Sequence, residues 1–100
     1  MTMTNHRLDP EKLAALQKIR ANVAGISAST QRQRLQTAFE QIRRISTAEA
    51  RAGLDILHPA ARVQELREEG HEIQTLWTVI EYEGGDQHRV ADYLWVRGAS

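Results

Sequence analysis

Between residues 30 and 45, apolar side chains return at every third or fourth place (Leu35, Ala38, Phe39, Ile42), while Arg32, Arg34, Arg43 and Arg44 fall largely off that stripe. This is the helical period, and it predicts an amphipathic helix beginning at Thr30 and carrying the Arg pair near its end. An earlier and narrower stripe, Leu13, Leu16, Ile19 and Val23, opens after Asp9-Pro10 and closes at Gly25. An Asp N-cap followed by proline in the first turn marks a helix start, and glycine marks its stop. The small, polar GISAST between the two stripes reads as a short linker. Ser46 and Glu49 have the spacing of a capping box, which starts a short helix, TAEARAGL, ending near Gly53. HPAARVQELREEG then predicts another, with Pro59 in its first turn, Val63 and Leu66 as buried anchors and Gly70 as its stop.

After Gly70 the pattern changes to β-branched and aromatic residues. EIQTLWTVIEYE, the turn Gly84-Gly85-Asp86 and HRVADYLWV read as a β-hairpin. Three helices and a hairpin in this order make an α+β, mainly α, winged helix-turn-helix plan over residues 30–97. Residues 1–29 supply an additional N-terminal helix and the linker.

A chain of 100 residues has room for one modest core. Four of its five aromatic residues (Trp77, Tyr82, Tyr93, Trp95; the fifth is Phe39) follow residue 76, so the hairpin is expected to bring the bulkiest core residues, and both tryptophans are expected to be buried. There is no cysteine, which excludes disulfides, thiolate chemistry and the sulfur ligands of a structural zinc site. Histidines 6, 58, 71 and 88 are not paired at i, i+4, there is no H-E-x-x-H and no acid pair in a cavity-forming context, and Gly84-Gly85 is turn chemistry rather than a phosphate loop. The reading is therefore a non-enzyme without metal or cofactor. No apolar run is long enough for a signal peptide or a membrane span, so a soluble, cytoplasmic protein is expected.

Formal charge is zero overall but unevenly spread: residues 1–45 carry eight Lys/Arg against three Asp/Glu, and residues 46–100 carry five against ten. A chain that bound nucleic acid by bulk charge would not look like this, because non-specific affinity comes from Lys and Arg neutralising phosphates. Any DNA binding must come from the helix-turn-helix unit itself.

The string ISTAEARAGLDILHPAARVQELREEGHEI, followed by HRVADYL, resembles a family of small winged helix-turn-helix proteins found mainly in bacteriophages and prophages. The resemblance covers about two-thirds of the chain, residues 30–94, and implies duplex DNA as the partner without naming a target. In such a domain the helix from Pro59 enters the major groove by its N-terminal end, and the wing meets the minor groove or backbone. The candidate contacts are His58, Ala61, Arg62, Gln64 and Arg67 on that helix, His88 and Arg89 in the wing, and Arg43 and Arg44 on the first helix of the module. Each has a second reading: His58 as a helix cap, Arg62 as half of a surface ion pair, Gln64 and the others as solvated surface. Arg62 and Arg67 are about 140° apart around a helix, so they cannot address one spot. Ala60 and Ala61 permit close approach, whereas Glu65, Glu68 and Glu69 repel phosphate.

One domain on one duplex face has limited affinity, so a homodimer is expected, with Leu13, Leu16, Ile19 and Val23 as its contact. The competing reading of that stripe packs it back on its own domain. Two functions follow: a sequence-specific DNA-binding protein of a phage or mobile element, or an inhibitor or adaptor that docks the winged scaffold on a host protein complex. The helix-turn-helix motif makes the first the leading reading, and neutral charge and the acidic helix keep the second as its alternative.

Overall fold

The structure, a computed structural model, describes residues 8–81 and 83–100; His6 and Tyr82 lie outside them. The order of elements is α1 (Pro10–Asn22), α2 (Ala28–Gln41), β1 (Arg44–Ser46), α3 (Thr47–Leu54), α4 (Pro59–Glu68), β2 (Glu72–Glu81) and β3 (Gln87–Arg97). The strands form an antiparallel sheet in the order β1-β3-β2.

Local chemistry sets the helix starts. Asp9 accepts the Glu11 N–H at 3.0 Å ahead of Pro10, and the Ser46 hydroxyl and Glu49 carboxylate complete a reciprocal capping box at the head of α3. Ser27 caps α2 by accepting the Thr30 N–H, so this helix starts inside the expected linker. Its other end also differs. The helix stops at Gln41, Ile42 is extended (φ −128, ψ 99), and Arg44, Ile45 and Ser46 form a strand against β3. The cause is tertiary: as a strand residue, Ile45 is paired with Tyr93 and fully buried, and that pairing overrides the helical pattern.

The N-terminal helix lies on the same core as the rest of the chain. Leu16 and Ile19 are 0% and 5% exposed and cluster with Leu35, Phe39, Leu54, Val63, Leu66 and Trp95. Their assignment to a dimer contact is therefore corrected, because residues inside their own core cannot meet a second chain. Leu13 and Val23 are half-buried beside them. Gly53 explains the close approach: a Cβ there would lie 2.6 Å from the Leu16 Cβ. This glycine is a contact point in the last turn of α3, near whose end it was expected. The helix ends one residue later, where Asp55 takes the left-handed conformation at φ 55.

Arg34, expected on a solvated face, is 2% exposed and donates to three carbonyls: Val23 (2.8 Å), Gly25 (2.6 Å) and Leu54 (2.7 Å). It ties the end of α1, the linker and the end of α3 into one unit. Burial lowers its pKa from the ordinary arginine value, and the nearby Asp55 carboxylate opposes that shift.

The hairpin divides into two halves. At its base Ile73, Tyr93 and Trp95 are buried, with the Trp95 ring stacked on Phe39 at 5.6 Å. Further out the strands pass beyond the helices, and Trp77 and Val79 are each 58% exposed. Burial of Trp77 is thus corrected; the expectation assumed a core under the whole hairpin, and the helices cover only its base.

Candidate nucleic-acid interface

The turn from α3 to α4 is tied to the end of α3. The Asp55 and Ile56 N–H groups both return to the Ala50 carbonyl, and Ile56 is fully buried. This anchors the turn from below and leaves Leu57 68% exposed above it. Pro59, Val63 and Leu66 face the core, so the opposite side of α4 presents Ala61, Gln64 and Glu68 to solvent, with Ala60 beside them. His58 stands at the N-cap position, exposed, but its side chain makes no capping hydrogen bond, and the capping role weighed for it is corrected. The N-terminal end of α4 thus offers Leu57, His58, Ala60, Ala61 and Gln64, none carrying a carboxylate.

The flanks of α4 are occupied. Toward α2, Glu65 receives Arg32 at 3.1 Å and Arg62 at 2.9 Å, while Arg32 also reaches Glu69 at 3.3 Å. Arg62 takes the ion-pair role weighed for it, and only 15% of its side chain is exposed. The hydrogen bond from Arg32 lowers the Glu65 pKa from its ordinary 4.5; burial opposes it less strongly, and the hydrogen bond and charge of Arg62 add to the lowering. On the other side Arg67 clamps the base of the hairpin, donating to the Ile73 carbonyl at 2.9 and 2.7 Å and to the Thr75 hydroxyl at 2.8 Å. Expected as a DNA contact, Arg67 is instead committed to holding α4 against β2.

Arg43 and Arg44 also leave the set. They lie on or beside β1, across the sheet from β2, where Arg43 donates to the Trp95 carbonyl (3.3 Å) and Arg44 pairs with Asp92 (2.7 Å). A helix-one position beside α4 is impossible for them because that helix has already ended.

In the wing, alternation of side chains puts Arg89 and His88 on opposite faces of β3. Arg89 shares the face of Trp95 and Tyr93, on which the helices pack, and its guanidinium lies 4.7 Å from the centre of the exposed Trp77 ring. His88 faces the far side. Of the two wing candidates, only Arg89 shares the side of α4.

One cation missing from the sequence reading belongs here. Arg51 is exposed on the last turn of α3 and donates to the Leu57 carbonyl at 3.2 Å, beside the N-terminal end of α4. The pattern of α3 contained the signal: Ala50, Gly53 and Leu54 define its buried side, and Arg51 lies off it.

Among the described residues, no helix is long and apolar enough to cross a membrane, and no group of three or more His, Asp or Glu is placed to hold a metal. The family described as winged helix-turn-helix domain matches residues 30–97. No curated protein and no solved structure matches the chain.

Proposed function

This chain belongs to the winged helix-turn-helix domain family, and we propose that it binds duplex DNA with the N-terminal end of α4 in the major groove. The observation that carries this is the exposed, acid-free end of α4 (His58, Ala60, Ala61, Gln64) on a turn anchored by the buried Ile56. Arg51 beside it and Arg89 on the same side of the sheet supply cations for phosphate. Gln64 has the donor and acceptor pair that suits adenine, and the two alanines admit the helix closely. The resemblance to phage and prophage proteins extends the proposal to a regulator of transcription, or an accessory factor in replication or excision, of a mobile element.

Titration of labelled duplexes at two salt concentrations tests it. Gln64→Ala and His58→Ala are expected to weaken binding to the preferred site by about 1–3 kcal/mol and to relax its sequence preference. Arg51→Ala and Arg89→Ala are expected to weaken all sequences alike and to flatten the salt dependence. No affinity at low salt would overturn the proposal.

A specific observation supports a protein partner as the second reading. Arg32, Arg62 and Arg67 are held by internal partners, while Glu68 remains exposed at the end of α4, which suits a basic protein surface. Under this reading Glu68→Lys abolishes capture of a host complex; under the DNA reading it strengthens DNA binding.

A further inference from the structure

β2 is an edge strand of ten residues, EIQTLWTVIE, and hydrogen bonds elsewhere in the sheet reveal which of its backbone groups are unused. Trp95 exchanges bonds with Arg43, its N–H going to the Arg43 carbonyl (2.8 Å) and its carbonyl receiving the Arg43 side chain; the Ala91 carbonyl likewise receives the Thr47 hydroxyl. The odd-numbered residues of β3 therefore turn their backbone groups toward β1. By antiparallel alternation, the even-numbered residues of β3 bond the even-numbered residues of β2 (Leu94 with Gln74, Asp92 with Leu76, Val90 with Thr78). The odd-numbered residues of β2 turn theirs out from the sheet. Arg67 occupies one of these groups, the Ile73 carbonyl. Among the described residues, no further strand lies beside Thr75, Trp77 and Val79.

We propose that this edge pairs with β2 of a second copy of the chain, antiparallel about Trp77, to make a continuous six-stranded sheet. Such a symmetric interface must be self-complementary, and this strand is. It has no charged residue from Ile73 to Ile80 and none of the proline or lysine that usually blunts an edge. With Trp77 opposite its counterpart, Thr75 faces Val79 of the other copy, so all three outward-turned positions meet outward-turned positions. Trp77 and Val79, the two wing residues left 58% exposed, are covered on the helix side of the sheet. The same register places Glu81 of one copy opposite Ile73 of the other, beside the Arg67 guanidinium bound at that carbonyl. Opposite charges therefore meet at both ends of the interface, which selects this register over its neighbours. The proposal stands independently of DNA binding.

Sedimentation over a range of concentrations tests it. The chain is expected to run at twice its 11.3 kDa mass and to dissociate on dilution. Val79→Pro removes an outward N–H that its own hairpin does not use, and it should run as one chain with a cooperative melt retained. Glu81→Arg faces Arg67 with a like charge and should weaken pairing by about tenfold; Trp77→Lys should do so as well. Val96→Lys, on the other face of the central strand, should leave the mass unchanged. Amides of Thr75, Trp77 and Val79 are expected to gain protection from hydrogen exchange with concentration, while those of Leu76 and Thr78 are protected throughout. A single-chain mass at every concentration would overturn the proposal, as would a dimer that survives both Glu81→Arg and Trp77→Lys, or exchange of the odd amides that does not respond to concentration.

Discussion

The base and the outer half of the hairpin are built from similar residues and end in opposite environments. Ile73, Tyr93 and Trp95 are 5 to 6% exposed because α2, α3 and α4 cover them; Trp77 and Val79, a few residues along the same face, are 58% exposed because none of the described helices reaches them. Side-chain type does not distinguish the halves. What differs is whether the chain has put something on top, and that separates a part of the molecule that holds the fold from a part free to meet partners. The arginines divide in the same way: Arg34 and Arg67 are drawn into the body on its carbonyls, while Arg89 and Arg51, the latter also donating to the Leu57 carbonyl, stay exposed at the surface.

The sharpest break in that comparison comes from the body. Leu66→Asp and Leu16→Asp each place a carboxylate at a fully buried site and should abolish cooperative unfolding, at a cost of several kcal/mol, on the order of the whole stability of a small domain. A folded Leu16→Asp protein would show that α1 is an appendage and not part of the core. Next in size is Arg34→Ala, which leaves three carbonyls without their donor and should cost about 3–5 kcal/mol by thermal or denaturant melting. Arg67→Ala removes the clamp between α4 and β2 and should cost about 2 kcal/mol, with faster amide exchange at the base of the hairpin before the rest.

Smaller effects sharpen the boundary. The Glu65 pKa is depressed in the folded state, chiefly by Arg32, so its ion-pair cluster stabilises the fold above the ordinary 4.5 and loses that contribution as pH falls through the folded value. Melting temperature in wild type should therefore fall more than in Glu65→Gln across that acid window, and the two should run parallel at neutral pH. Smallest of all, Trp77→Phe should change stability by less than about 0.5 kcal/mol, since the site is largely in solvent. In dilute solution it should remove the red-shifted part of the tryptophan emission and leave the blue-shifted Trp95. An unshifted spectrum would mean the two halves of the hairpin are equally buried.

Much of the architecture could be read from short-range chemistry. The Asp9-Pro10 start, the Ser46/Glu49 capping box, the Val63 and Leu66 anchors and the Gly84-Gly85 turn (φ 95 and 90) each depend on neighbours within one or two turns of chain, so the residues themselves carry the answer. The candidate site was less legible. Helix periodicity located the exposed end of α4 and named Ala61 and Gln64, yet it could not say which arginines were free. That depended on partners far along the chain: Leu54 for Arg34, Glu65 for Arg32 and Trp95 for Arg43. The same holds for Leu16 and Ile45. An apolar stripe on a helix says that something must cover it, not whether the cover is the same chain or another. Ile45 becomes strand only because Tyr93 is there to pair with it. The sequence alone determined the winged helix plan, through signals that act across a few residues. Tertiary packing decided which charges and faces remained available, because burial and ion pairing belong to residues brought together from distant parts of the chain.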